Sequence, residues 1–230
     1  MTIRIYPATP SVAPRLASIH VSAFSSNRLM RAIYPTPAIW AAFKRAVEEK
    51  LIADMLDERT SVVVAQSTDM ETDGGREIVG FAVWCHACPE DKEEERGSGV
   101  KKTYIAPRWN LPEGTDWDIL NAWRAAAAKV AESTIGDCRH YELSWIAVSP
   151  SHGHQGVGTK LLVWGLDACN KQRVPAYLES TVEAAETFYA KAGFRERGRI
   201  QLVVKGELYE EVACVYEPSS MQDEDDVRSR

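Results

Sequence analysis

The chain has no apolar run of transmembrane length and no excess of positive charge. Its 230 residues include 27 Lys and Arg against 33 Asp and Glu, so the formal net charge is −6. A negative chain repels nucleic acid and anionic membrane surfaces, so we expect neither as a partner. The N-terminus also lacks the positively charged and apolar segments of a signal peptide. Together these absences predict a cytoplasmic protein.

Cysteine is scarce, and the five cysteines are odd in number, which favours free thiols in a reducing compartment. Cys85 and Cys88 form a C-x-x-C match. A zinc site needs a second ligand pair, for which the sequence offers only Cys138 and His140, and a redox motif opens a helix, whereas here Pro89 follows. We therefore predict no metal, and a metal or redox protein is an alternative that a metal assay would settle.

Strand-like and helix-like segments alternate along the chain without a break in composition, which predicts one α/β domain over residues 1–217. A charge-dense insert is predicted at 89–115, and a polar, acidic tail at 218–230 is expected to be disordered. Residues 27–37 are predicted to be irregular. A helix opened by a capping box of Thr and Asp is predicted at 115–133.

The most informative segment is residues 148–162, where a strand-like run, a glycine loop and a helix-like run follow one another. The first turn of a helix has N–H groups without intrahelical partners, and the helix dipole is positive there. Glycines let a phosphate approach the backbone closely. The segment therefore predicts a site for a phosphorylated cofactor at residues 153–160.

Two common phosphate motifs do not fit this loop. The G-x-x-x-x-G-K-[ST] motif requires a Lys-Ser/Thr pair directly after its second glycine. Here no such pair follows Gly158, and Lys160 lies inside the predicted helix. Gly153, Gly156 and Gly158 have the wrong spacing for the G-x-G-x-x-G dinucleotide fingerprint. The P-loop motif and the dinucleotide-binding motif are therefore both absent.

The loop instead resembles that of the GNAT family of acyl-CoA-dependent N-acetyltransferases. In that family a Val-x-Pro strand end is followed by Gln/Arg-x-x-Gly-x-Gly/Ala and a helix. Val148, Pro150, Gly156 and Gly158 are in register with this pattern. The first loop position, usually Gln or Arg, is Gly153 in this chain.

Further similarities extend the resemblance to most of the chain. Residues 186–198 look like the later Tyr-x-x-x-Gly-Phe segment of the family, and residues 3–24 look like its first strand and helix. Residues 174–194 are similar to the branch that contains puromycin N-acetyltransferase and uncharacterised fungal and bacterial relatives. The resemblance implies a single GNAT-like domain of mixed α/β class. It has a mostly antiparallel sheet splayed between two parallel central strands, with helices on both faces.

The resemblance also implies acetyl-CoA as co-substrate. The pantetheine arm is expected along the backbone of Ile146, Ala147 and Val148. The diphosphate is expected on the loop and helix start, at Gly153, His154, Gln155, Gly156, Val157, Gly158, Thr159 and Lys160. Because Gly153 replaces the usual side chain, His152 or His154 is a possible substitute.

Two residues are predicted to handle protons. An amine must be neutral to attack, and Glu142 matches the place of the glutamate base in the histone-acetylating branch, with Glu179 as second choice. Tyr189 matches the family tyrosine that protonates the departing thiolate. The acceptor is expected to contact Phe24, Tyr34, Trp84 and Glu179.

The sequence thus predicts transfer of acetyl from acetyl-CoA to a primary amine of a small molecule, by direct attack in a ternary complex. The acidic charge and the aromatic residues favour a cationic or aromatic amine. Two alternatives remain at this point: a non-catalytic, regulatory acyl-CoA-binding protein and a protein or peptide N-acetyltransferase. The protein is expected to be a monomer or a homodimer.

Overall fold

The structure is a computed structural model that describes residues 2–68, 76–86 and 109–218. Seven strands of these residues form one sheet in the order β1-β2-β3-β4-β5-β7-β6. The strands are β1 (Ile3–Pro7), β2 (Thr60–Ser67), β3 (Glu77–His86), β4 (Tyr141–Val148), β5 (Ala176–Thr181), β6 (Arg195–Val204) and β7 (Glu207–Tyr216). Most of the predicted insert, at 89–108, and the predicted tail beyond residue 218 lie outside the described residues.

The helices lie on both faces of the sheet. They are α1 (Ala13–Ala23), α2 (Arg28–Ile33), α3 (Pro37–Leu56), α4 (Trp117–Thr134) and α5 (Val157–Gln172). Residues 182–192, called α6, are α-helical at Val182–Ala184, π-helical at Ala185–Tyr189 and 3-10-helical at Ala190–Ala192. Helices α1, α3 and α4 pack on one face, and α5 and α6 pack on the other. The predicted mixed α/β fold with helices on both faces is confirmed.

Two helix starts differ from the sequence-based expectation. Residues 27–37 are not irregular, because the Asn27 side chain accepts a hydrogen bond from the Met30 N–H at 2.9 Å and so caps α2. The cap of α4 is Asp116, whose Oδ1 accepts from the Ile119 N–H at 3.0 Å. Thr115 instead donates its hydroxyl to the Pro112 carbonyl, so the predicted capping box does not form.

The central strands β4 and β5 are parallel and diverge almost at once. Across the described residues they pair only at Tyr141 with Ala176 and at Glu142 with Tyr177. Beyond this point the edge of β4 that faces β5 has no strand partner, so its N–H and C=O groups are available to a ligand. The divergence therefore opens a gap in the middle of the sheet.

A bulge at Ser144 determines which side chains of β4 face each way. Trp84 pairs with Leu143 and Val83 pairs with Trp145, so Ser144 is the extra residue. As a result Leu143 packs on the α5 face, whereas Trp145, two residues later, packs on the α1 and α3 face. The bulge thus turns an aromatic side chain toward the side where Glu142 also projects.

Trp84 is a core residue, so the prediction that it contacts the acceptor is wrong. Its side chain is fully buried on the α5 face, packed directly over Gly165. Strand side chains alternate, and the neighbouring Val83 and Cys85 face the opposite side, toward α1 and α3. The aromatic side chain of Trp84 suggested a pocket residue, but the register of β3 in the sheet decides which face the side chain occupies.

The contact between Gly165 and Trp84 leaves no space for a methyl group. A Cβ built on Gly165 would lie 2.0 Å from Cε2 of Trp84. We expect Gly165→Ala to lower the free energy of unfolding by about 1–3 kcal/mol through overpacking, although alanine favours helices. Urea unfolding followed by circular dichroism measures this change.

A matched control is Val163→Ala, which changes an exposed residue of the same helix. Its effect on the free energy of unfolding should stay within about 0.5 kcal/mol. Adding Trp84→Leu to Gly165→Ala should recover part of the loss caused by Gly165→Ala, giving a positive coupling in a double-mutant cycle. Additive losses would contradict a direct clash.

Candidate active site

A single cavity of about 980 Å³ occupies the gap between β4 and β5. One end is lined by the last residues of β4, the loop after it and the first turn of α5. The other end is lined by α1, α2, α4 and side chains of β4, β5 and β7. We name these two ends the loop end and the acidic end.

At the loop end the backbone presents N–H groups. His154 has φ of 57° and Gly156 has φ of 78°, so the chain turns sharply through two left-handed residues before α5 begins. The first intrahelical bond runs from the Lys160 N–H to the Gly156 carbonyl at 3.1 Å. The N–H groups of residues 157–159 therefore have no intrahelical acceptor, and all three residues line the cavity.

Most of the predicted cofactor residues line this end: Ile146, Val148, Gly153, His154, Gly156, Val157, Gly158 and Thr159. Three others do not line it. Ala147 is buried in the core below α1 and α3, the Gln155 amide donates to the Ser151 carbonyl at 3.3 Å, and Lys160 is exposed on the outside of α5. Their side chains therefore do not contribute to the cavity.

Three basic side chains and one aromatic ring lie at the loop end. His152, His154 and Lys191 line it, and His152 Nδ1 lies 2.9 Å from Ser151 Oγ. Gly158 faces α6 closely, since a Cβ there would lie 3.3 Å from Cζ of Phe188. Histidine and lysine together with the helix N-terminus make this end suited to an anion.

Tyr189 lies on the α6 side of the same cavity. The π-helical turn at Ala185–Tyr189 places it there, and its ring packs against Phe188 and Phe194 at centroid distances of 4.9 and 5.8 Å. Only 7% of the residue is exposed, and burial raises its pKa further above the usual value. The phenol is therefore protonated at neutral pH and can donate a proton.

Glu142, Glu179 and Glu211 line the acidic end, and a fourth, exposed carboxylate, Glu183 in the first turn of α6, also lines the cavity. Glu179 Oε1 accepts a hydrogen bond from the Tyr177 hydroxyl at 2.9 Å. Burial raises the pKa of Glu179 to about 7, and the negative charges of Glu142 and Glu211 add to this rise, while the Tyr177 bond opposes it. Glu142 is more exposed and accepts from Ser144 Oγ at 3.2 Å.

Glu211 was missed by the sequence reasoning. It is 9% exposed and accepts two hydrogen bonds, from Trp123 Nε1 at 2.8 Å and from the Tyr209 hydroxyl at 2.6 Å. Because β7 contains three glutamates, Glu207, Glu210 and Glu211, no local sequence feature singles out Glu211.

Aromatic rings form the rest of the acidic end. Phe24 and Tyr34 line it as expected, and His20, Trp109, Trp123 and Trp145 join them. His20 is 3% exposed, and its ring lies 4.7 Å from Phe24 and 4.6 Å from Trp145. Burial lowers the pKa of His20 to about 3, so this imidazole is neutral at physiological pH.

Of the C-x-x-C pair Cys85 and Cys88, the structure describes only Cys85. Cys85 lies on β3 with its Sγ 3.2 Å from Ser144 Oγ, and burial raises the pKa of its thiol. In the described ranges, no three histidine, cysteine or acidic side chains are grouped so that they could hold a metal ion. No helix of the described part of the chain is long and apolar enough to span a membrane.

Comparison with known proteins gives matches of three kinds. Residues 122–196 match the family model described as "Acetyltransferase (GNAT) domain". The curated "Probable acyltransferase SID5" of Ajellomyces capsulatus is 46% identical over 54 residues, which are 24% of this chain and 38% of that protein. The match thus spans well under half of that relative's length.

Solved structures share the fold over nearly the whole chain. One is the "histone acetyltransferase HPA2 and related acetyltransferase" from Corynebacterium glutamicum, with a TM-score of 0.60 at 23% identity, covering 95% of this chain and 98% of that one. Another is Arabidopsis thaliana NAA60 in complex with acetyl-CoA, with a TM-score of 0.52 at 16% identity, covering 94% and 98%. The PaiA N-acetyltransferase from Thermoplasma acidophilum in complex with coenzyme A has a TM-score of 0.53 at 12% identity and covers 94% and 99%.

The predicted resemblance to GNAT acetyltransferases is therefore supported over residues 122–196, while the puromycin N-acetyltransferase branch stays a prediction. The matched residues 122–196 include the loop, the start of α5 and Tyr189, which are the features on which the resemblance depended. This chain therefore matches an acetyltransferase (GNAT) domain over residues 122–196 and shares the fold of solved acetyltransferases.

Proposed function

We propose that this protein transfers an acetyl group from acetyl-CoA to a primary amine of a small molecule, by direct attack in a ternary complex. The observation that carries the proposal is the single cavity between β4 and β5. It has an anion-binding backbone at one end, carboxylates at the other, and Tyr189 on its wall. The solved neighbours that contain acetyl-CoA or coenzyme A share this fold and support the same ligand here.

The residues present fit acetyl-CoA. The free edge of β4 beyond Glu142 offers N–H and C=O groups at Ile146 and Val148 to a pantetheine arm, which would pair like an added strand. The N–H groups of residues 157–159 are placed for the diphosphate. The absent side chain at Gly153 is offset by His152 and His154, which line the same end.

Acetyl-CoA supplies the thioester carbonyl that the amine attacks. Holding both reactants in one cavity replaces a bimolecular encounter, which is a large part of the expected acceleration. In this proposal the β4 N–H group at Ile146 or Val148 polarises the carbonyl oxygen. As the C–N bond forms and the C–S bond breaks, the Tyr189 hydroxyl protonates the leaving thiolate.

Glu179 is the better of the two candidate bases. A base works best when its pKa lies near the operating pH, and the pKa of Glu179 is about 7. Its partner Tyr177 fixes the direction of the carboxylate. We therefore assign removal of the ammonium proton to Glu179 and place Glu142, the first choice from the sequence, as a neighbouring charge that raises the pKa of Glu179.

The pH dependence of turnover tests this assignment. Only ionised Glu179 accepts a proton, so kcat/KM should rise with pH through an apparent pKa of about 7. Glu179→Gln should lower kcat/KM by about 100- to 10,000-fold and remove that limb. Release of the CoA thiol across pH 5.5–9 provides the measurement.

The matched control is Glu186→Gln, an exposed glutamate of α6 that does not line the cavity. This variant should keep both the rate and the limb near pH 7. If Glu179→Gln retained the wild-type profile and Glu142→Gln removed the limb, the base would be Glu142.

Tyr189→Phe removes the proposed proton donor while keeping the ring packing. We expect kcat to fall about 100-fold, in the usual range for a lost general acid. The KM for acetyl-CoA should change little, because the diphosphate contacts lie at the loop end. Steady-state kinetics with Tyr216→Phe as control, a hydroxyl that donates to Asn170 at 2.8 Å outside the cavity, isolates the effect. A kcat within twofold of wild type would remove Tyr189 from the mechanism.

Calorimetry and a substrate panel separate the proposal from the two alternatives. Heat of binding with acetyl-CoA but no thiol release with any amine or peptide would identify an acyl-CoA-binding protein without transfer. Transfer to peptide N-termini or lysine side chains in preference to small amines would identify a peptide acetyltransferase. Absence of any binding heat would contradict all three.

A further inference from the structure

Glu211 is a buried carboxylate without a cationic partner. Its two hydrogen-bond donors, Trp123 Nε1 and the Tyr209 hydroxyl, are both neutral. Within the described residues, no lysine, arginine or histidine forms an ion pair with it. A carboxylate at 9% exposure normally has a compensating positive charge, because an isolated charge is costly to bury.

Two cations near this end of the cavity are already engaged. Arg28 lies 5.7 Å above the Tyr209 ring, but its guanidinium pairs with Glu207 at 2.7 Å and donates to the Leu208 carbonyl. The Lys50 ammonium pairs with Asp54. Because Glu211 lines the cavity and has no ion pair among the described residues, a cationic molecule bound there would supply its counter-charge.

Strand register sets the distance between Glu211 and the proposed base. Glu179 pairs with Ala213, and Thr181 pairs with Glu211, so the two glutamates are diagonal neighbours on one face of β5 and β7. The backbones of diagonal neighbours across antiparallel strands are about 7–8 Å apart, and their Cβ atoms are somewhat closer. Two cationic groups about that far apart could contact both carboxylates at once.

The walls between and around the carboxylates favour a cation with an apolar body. Rings of Phe24, Trp123 and Trp145 line this end, and aromatic faces attract ammonium groups. His20 contributes no competing charge, because its imidazole is neutral. His20 lines the cavity, and no described residue forms a hydrogen bond with its Nδ1 atom.

We propose that the acceptor is a diamine, with its reacting primary amine at Glu179 and a second cationic nitrogen bound by Glu211. This inference rests on the proposed acetyl transfer and adds the substrate class. Glu211 is then a specificity residue that recognises the charge remote from the reaction. Trp123 and Tyr209 are positioning residues that aim its carboxylate.

Three amines of equal length test the second charge: cadaverine, pentylamine and δ-aminovalerate. They share one reacting primary amine, and the far end is cationic, neutral or anionic. We expect wild-type kcat/KM for cadaverine to exceed that for pentylamine by about 10- to 100-fold, as for a hydrogen bond to a charged group. δ-Aminovalerate should be the poorest of the three.

Glu211→Gln keeps the shape of the side chain and removes its charge. In this variant the ratio of cadaverine to pentylamine should fall to within about threefold of unity, mainly through KM for cadaverine. Glu210→Gln is the matched control. Glu210 directly precedes Glu211 in β7, but it does not line the cavity and accepts a hydrogen bond from the Gln201 amide at 2.6 Å. This control should keep the wild-type ratio, and thermal unfolding checks that both variants fold.

The possible outcomes are distinguishable. Transfer with a preference for cadaverine that Glu211→Gln loses and Glu210→Gln keeps supports the inference. Transfer in which pentylamine or δ-aminovalerate equals or exceeds cadaverine in the wild-type protein overturns the inference and leaves acetyl transfer standing. A cadaverine preference that survives Glu211→Gln in a folded variant overturns the role of Glu211. Acetyl-CoA binding without transfer to any amine or peptide overturns the proposed function and this inference together.

Discussion

The separation of β4 from β5 is the constraint on which the site depends. Parallel strands in a sheet normally share a continuous ladder, yet here pairing ends after Glu142 and Tyr177. The N–H and C=O groups left on β4 would be costly if buried without partners, so the gap calls for a ligand with strand-like hydrogen-bonding groups. Hydrophobic packing of α5 and α6 on one face, and of α1, α3 and α4 on the other, holds the two halves of the sheet apart.

Electrostatics divides the cavity into two unlike ends. The helix N-terminus, His152, His154 and Lys191 form the loop end, and three glutamates form the acidic end. An anionic cofactor and a cationic acceptor would therefore enter the same cavity without competing for one binding surface. The like charges of Glu142 and Glu211 also have a chemical consequence, since they help to raise the pKa of Glu179 toward neutrality. The same carboxylates can thus serve recognition and proton transfer.

Local sequence predicted the loop end well and the acidic end only in part. The loop, the start of α5 and Tyr189 are contiguous motifs whose geometry is set by glycine positions and helix propensity. Glu211 and Trp123 are 88 residues apart in the chain, and Tyr209 joins them only because β7 packs below α4. Trp84 shows the converse error, because its aromatic side chain suggested a pocket, whereas strand alternation and the small size of Gly165 place it in the core.

The sequence by itself determined the resemblance to acetyltransferases, the position of the glycine loop and the alternation of strands and helices. These depend on short-range features: glycines that permit left-handed turns and the periodicity of apolar residues. Only the tertiary structure decided which glutamate has a pKa near neutrality, which aromatic rings face the cavity and which carboxylate lacks a cation. The physical reason is that burial, strand register and charge proximity are set by residues distant in sequence, as the contribution of Glu142 and Glu211 to the pKa of Glu179 shows.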